Sequence, residues 1–272
     1  MDLCNIANGI SKTNYVDLSD ECIIPLMSKS SSKGNQPKWY NTKTDEFIKQ
    51  QLTYQGICWR DYAVEVFASD VCIESGICGV VQQKTVELSN GYMGCCSKNF
   101  CKTPNDKFLP LRKFVDEDFV ISLFGWSKKI FDYFINVASA YGIDWNTYLS
   151  KMIILDYLFG NEDRHLNNLG FMREADTITE APLFDFGLGL FEHDKKYQGK
   201  SLYKVLPMME GKPFASDLEA AVNMILQTDN FDYCKELVKS LTINFCSTNI
   251  PSVLAREYVE YAYNNLRKKV GL

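Results

Sequence analysis

The chemically richest stretch of the chain is Gly160-Asn161-Glu162-Asp163-Arg164-His165-Leu166-Asn167-Asn168, followed by Leu183-Phe184-Asp185-Phe186-Gly187. Phosphoryl transfer asks a protein for a carboxylate to orient the acceptor hydroxyl, oxygen ligands for Mg²⁺, and cations to balance the phosphates. Asp163 and Asn168 stand five apart, so one loop can aim a base at the acceptor while its far end reaches the metal. Asp185, 22 positions after Asp163, offers a hard oxygen donor of the kind Mg²⁺ takes. Taken singly, Asp163-Arg164 reads as a surface ion pair and Asp185-Phe186-Gly187 as a turn. Their order, after an apolar helix and across a strand pair, favours phosphotransfer.

Hydrophobic spacing gives the elements that must hold these residues. Strands are expected at Lys38–Asn41 and Glu46–Gln50 around a polar turn at Thr42–Asp45. A helix is expected from Arg60, with Ala63, Val66, Phe67 and Val71 on one face and a stop at Gly76. Residues 77–88 read as strand, turning at Asn90-Gly91. Beyond Pro110 the pattern is helical. One long amphipathic helix is expected from a cap at Asp116 to near Gly142, and a second from Asp144 to Phe159. Strand-like pieces at Leu169–Met172 and Pro182–Phe184 and helical patterns at 216–227, 231–241 and 251–269 complete the chain. The fold class is α+β: a strand-rich N-lobe over residues 1–105 and a helical C-lobe over 106–272, parted within Lys102–Pro110.

Composition narrows the function classes. At 272 residues, 46% hydrophobic and 23% charged, the chain is long enough for one two-lobed domain. A net charge of -5 excludes the basic excess of a general nucleic-acid binder. No apolar run approaches the roughly 20 residues that span a bilayer, and the N-terminus does not read as a signal peptide, so a cytoplasmic location is expected. Ten cysteines follow no regular framework, and Cys72, Cys234 and Cys246 fall in helical patterns, as free buried thiols do. Zinc at Cys95, Cys96 and Cys101 is the sharper alternative, but there is no C-x-x-C pair and only two histidines.

Asp163 and Asn168 share the interval of the Asp and Asn in the protein-kinase loop H-R-D-L-x-x-x-N, with Asp-Arg-His in reversed order. Through Asp156-Tyr157-Leu158-Phe159-Gly160-Asn161-Glu162-Asp163-Arg164-His165, the chain resembles HipA-like kinases of the phosphoinositide-kinase-like branch, in their short stand-alone form. The resemblance extends to Lys33-Gly34-Asn35-Gln36-Pro37-Lys38-Trp39-Tyr40 and Gly94-Cys95-Cys96-Ser97-Lys98-Asn99-Phe100, so it covers about residues 28–190. It implies a form without the extra N-terminal domain of longer toxin kinases.

The resemblance implies ATP and Mg²⁺ as cofactors, Asp163 as catalytic base, and Asn168 and Asp185 as metal ligands. His165 either shapes the loop by bonding its backbone or touches phosphate. Arg164 either braces the Asp-Phe-Gly segment or is solvated, and Asp156 is expected to accept backbone hydrogen bonds from the loop. Lys49, with Glu65 on the following helix, resembles the pair that grips the α- and β-phosphates. Lys38 is the rival lysine, its position suggesting loop support. The Ser/Lys-rich stretch ending in Gly34 resembles a nucleotide-covering loop, and Ser31 best matches a serine that some relatives phosphorylate, with Ser30 and Ser32 as rivals. The implied acceptor is a protein Ser/Thr hydroxyl, and an antitoxin-like partner is an open possibility. Two alternatives stand beside this reading. One is a lipid or small-molecule kinase, against which stands the lack of a basic amphipathic membrane helix. The other is a pseudokinase-like module that binds nucleotide without chemistry.

Overall fold

Alternation along short strands decides which residues of the first sheet face the site. The computed structural model describes residues 14–26, 36–54, 56–124, 127–192, 195–245 and 250–272; Ser31 and Gly34 lie outside them. Strands β1 (Asn14–Val16), β2 (Ile23–Leu26), β3 (Lys38–Asn41) and β4 (Glu46–Gln50) precede a two-residue hairpin, β5 (Thr53–Tyr54) and β6 (Ile57–Cys58). Helix α1 (Asp61–Glu74), β7 (Lys84–Leu88) and β8 (Met93–Lys98) follow. The six-stranded sheet runs β1-β7-β8-β4-β3-β2, antiparallel except for β1 against β7. Lys38 stands opposite Lys49, and Lys49 opposite Cys95, so the three share one face. The other face carries Ile23, Ile48, Val86, Leu88 and Cys96 as a small core of its own, covered by Trp39 and Tyr92. Adjacent Cys95 and Cys96 therefore point to opposite sides of the sheet.

Helix α1 packs on β7 and β8, yet its Val64, Phe67, Ala68, Val71 and Cys72 belong to the large core of the helical lobe. It is the element that both lobes share. The strand expected over 77–88 forms only from Lys84. Gly79 takes a positive φ of 74°, and Ile77 and Val80 instead pack on the helical lobe, where Val80 bridges Leu183.

In the second lobe β9 (Lys107–Pro110) joins a three-stranded sheet. The long helix expected over 116–142 is two, α2 (Glu117–Phe124) and α3 (Lys128–Ser139). Asp116 caps the first by accepting the Phe119 N–H at 3.1 Å, and Ser127 opens the second in extended conformation. The apolar period runs through Ser127 unbroken, which is why it read as one helix.

Helix α4 (Asn146–Leu158) is buried all round from Met152 to Leu158 and forms the axis of the lobe. Strands β10 (Gly170–Glu174) and β11 (Thr177–Glu180) come next, and Pro182–Phe184 adds only the Leu183 bridge. The lobe closes with one-turn α5 (Leu202–Val205), then α6 (Leu218–Ile225), α7 (Phe231–Ser240) and α8 (Val253–Lys269), of which α6, α7 and α8 pack on α4. Among the described residues, no helix is long and apolar enough to cross a membrane.

Candidate active site

The loop carrying Asp163 is fastened to the end of α4. Gly160 leaves the helix at a φ of 56°, a conformation that favours glycine, against Tyr258 and Met209. The Asn161 N–H then donates to the Asp156 carbonyl at 2.8 Å. Arg164, 2% exposed, donates from Nε (3.0 Å) and Nη2 (2.7 Å) to both oxygens of Asp156, and from Nη1 to the Phe184 carbonyl at 2.6 Å. Its guanidinium lies 4.9 Å from the Phe186 ring. Arg164 thus braces the Asp-Phe-Gly segment and is not solvated. Asp156 thus accepts a loop N–H on its carbonyl, as expected, while its carboxylate takes side-chain donors, Arg164 and Asn161 Nδ2 (2.8 Å).

Within the loop, the His165 N–H reaches the Asp163 carbonyl at 2.8 Å, and the Asn168 N–H reaches the His165 carbonyl at 2.9 Å. These two turns fix the backbone between Asp163 and Asn168, the latter buried. The imidazole of His165 does not shape the loop by hydrogen bonding its backbone. Its Nδ1 is buried without a hydrogen-bond partner, and its Nε2 lies 3.9 Å from Asp163 Oδ2.

Across the cleft, three charged side chains form one array. Lys49 Nζ on β4 sits 3.0 Å from Glu65 Oε1 on α1 and 2.9 Å from Asp185 Oδ1. Glu65 also takes the Phe186 N–H on Oε2 at 3.0 Å, so one carboxylate positions both the lysine and the Asp-Phe-Gly backbone. A Cβ at Gly187 would come within 3.1 Å of Glu65, so glycine allows this approach. Asp185 has a φ of 64°, a left-handed conformation that Asp tolerates better than most residues. Burial pushes its carboxyl up, but the Lys49 ammonium outweighs this and holds it below the ordinary carboxylate range. Burial lowers Lys49 in turn, and Asp185 and Glu65 more than reverse that, keeping it charged. For Glu65 burial dominates and its acidity is weakened.

Lys38 faces the same side as Lys49, and its charge is among those that depress Asp185, a placement nearer the site than loop support alone requires. Several residues were missed from sequence. Gln36 donates to Asp61 Oδ2 (2.6 Å) and to the Gln50 carbonyl (2.7 Å), tying the chain entering β3 to the start of α1. Leu26 and Phe47 are exposed on the sheet face that carries Lys49. Phe100, Phe108 and Phe184 form a half-buried triad with ring centroids 5.4–5.8 Å apart, next to Asp185. The period of two could have found Phe47, since it lies two before Lys49. The triad joins distant segments and left no local signal.

Among the described residues, no three His, Cys, Asp or Glu side chains cluster as a self-sufficient metal cage. Mg²⁺ needs none: it is commonly held by one or two protein oxygens, phosphates and water. An Asp185 kept ionised, the Asn168 carboxamide and the unpartnered Nδ1 of His165 suit a site completed by a metal–phosphate group.

This geometry defines a two-lobed, protein-kinase-like fold. Three solved structures resemble it to different degrees. CtkA, a proinflammatory kinase of Helicobacter pylori, superposes with a TM-score of 0.60 over 94% of this chain and 95% of its own, at 18% identity. HipA of Shewanella oneidensis MR-1, solved with HipB and operator DNA, aligns at a TM-score of 0.37 and 14% identity, covering 94% of this chain and 72% of that one. The PAN3 pseudokinase of Neurospora crassa aligns at 0.31 and 12%, covering 92% and 61%. The fold assignment rests on the first of these. No protein-family model and no curated protein sequence matches the chain.

Proposed function

We propose that the chain is an ATP- and Mg²⁺-dependent phosphotransferase acting on protein Ser/Thr hydroxyls, with its lobes meeting at residues 105/106. The observation that carries this reading is Lys49 held between Glu65 and Asp185 across the cleft. Lys49 grips the α- and β-phosphates, with Lys38 as a second cation. Asp163 accepts the acceptor's proton, while Asp185 and Asn168 hold Mg²⁺, which screens the phosphates when bound. Leu26 and Phe47 above, and the phenylalanine triad below, give the adenine an apolar slot. The Ser31 stretch is the place for autophosphorylation to regulate nucleotide access.

Lys49→Met is expected to reduce transfer about 10²–10³-fold, the usual scale for removing one aimed charge. Lys49→Met/Glu65→Gln should cost little more, because the two act as one unit. Losses that simply add in this double-mutant cycle would break the pairing. Asp185→Asn should raise the Mg²⁺ concentration at half-maximal rate, since a neutral amide is a poorer ligand. An unchanged Mg²⁺ titration would remove Asp185 from the metal.

A further inference from the structure

We propose that Gln36 and Asp61 form a clasp that holds Lys49 in register with the phosphates, which makes Gln36 a positioning residue for transfer. This rests on the phosphotransfer reading above and adds how that same site is set. Gln36 stands two residues after Gly34, where the Ser/Lys-rich stretch ends. Its amide nitrogen donates to Asp61 Oδ2 at 2.6 Å and to the Gln50 carbonyl at 2.7 Å. A backbone carbonyl has no proton to give, so the amide can be oriented only this way, and both its N–H groups are used. Asp61 is 1% exposed, and its Oδ1 takes the Leu52 N–H at 2.7 Å. One amide and one carboxylate thereby tie together the chain entering β3, the end of β4 and the first turn of α1.

The clasp joins the two elements that carry the Lys49–Glu65 pair. Gln50 follows Lys49 directly on β4, and Asp61 stands one turn before Glu65 on the same face of α1. The Asp61 carbonyl lies 3.3 Å from where a Cβ on Gly187 would sit, so this first turn also abuts the Asp-Phe-Gly segment. A tie made only for strength needs no charge, and a buried carboxylate is a costly one. The charge of Asp61 has a use here. With Asp185 and Glu65 it keeps the Lys49 ammonium charged against burial, and Lys49 in turn counters the burial that raises Asp61. Gln36 holds that carboxylate in place without neutralising it. Losing the amide would free the start of α1 and leave Asp61 Oδ2 buried without this donor, loosening the pair at both the helix and the strand.

The test compares ATP with adenosine, each displacing a fluorescent ATP analogue in the presence of Mg²⁺. Adenosine lacks the phosphates that Lys49 grips. Gln36→Leu should therefore weaken ATP about tenfold, the scale of one hydrogen bond to a charged group, and leave adenosine unchanged. In a Lys49→Met background the same substitution should alter ATP affinity by no more than about twofold, because Gln36 acts through Lys49. Gln36→Glu sets a second carboxylate against Asp61 and should cost more than Gln36→Leu. Adding Asp61→Asn supplies an amide that can donate to the new carboxylate, and should recover part of the ATP affinity. This pair decides the matter if Gln36→Leu does not fold. Equal weakening of ATP and adenosine, ATP affinity unmoved by Gln36→Leu, the same loss with and without Lys49, or no recovery in the pair each overturns the proposal. The expected split in a protein that transfers phosphate to no acceptor would remove the phosphotransfer reading and leave the clasp standing. An unaltered chain that binds no ATP removes both.

Discussion

Asp163→Asn is expected to lower phosphate transfer by about 10²–10⁴-fold, the range general-base catalysis supplies. The carboxamide keeps the shape and loses the proton acceptor. The Asp163 side chain is only partly buried, so the exchange leaves no charge stranded in the core. Asp185, Lys49 and Glu65 pair among themselves without Asp163, and nucleotide affinity should persist. The expected signature is thus a folded protein that binds Mg²⁺·ATP normally and turns it over hardly at all. If the variant loses nucleotide binding in equal measure, Asp163 belongs to the metal site and not to the acceptor.

The second large effect is on stability. Arg164→Met removes both donors to Asp156 and the one to the Phe184 carbonyl, while its stem still fills space against Phe186. Asp156 is 3% exposed and would retain only the Asn161 amide on its side chain. Stranding one member of a buried ion pair costs about 3–5 kcal/mol, a large share of the ~5–15 kcal/mol that holds a domain folded. At roughly 2–4 °C per kcal/mol, the melting temperature should fall by about 6–20 °C. Adding Asp156→Asn removes the unpaired charge and should recover part of the loss. A single variant as stable as the unaltered chain would show that the brace does not hold this loop.

Local pattern carried much of the fold. Strands 38–41 and 46–50, the turn between them, and the three C-terminal helices lie where period and punctuation placed them, because alternation and capping are written within a few residues. The expected helix over 116–142 missed its break because nothing in the apolar period marks Ser127. Residues 77–83 were misread for another reason: their valines serve the helical lobe through Leu183, a contact distant in sequence. The same limit applied at the site. The spacing of Asp163, Asn168 and Asp185 is local and readable. The Arg164–Asp156–Phe184 brace depends on a helix end, a loop and a later segment meeting, so Arg164 could be placed only between two alternatives. The positive φ of Asp185 and the phenylalanine triad depend on tertiary packing and were invisible.

The central claim is most directly tested by following the γ-phosphate itself. The unaltered chain would be incubated with γ-labelled ATP, with and without Mg²⁺, in the presence of a protein extract, and covalent label located by mass spectrometry. The account predicts label on Ser or Thr residues, absent without Mg²⁺ and absent with Asp163→Asn. ATP bound at saturation with no label on the chain or on any other protein would contradict it and leave a nucleotide-binding module in place of an enzyme.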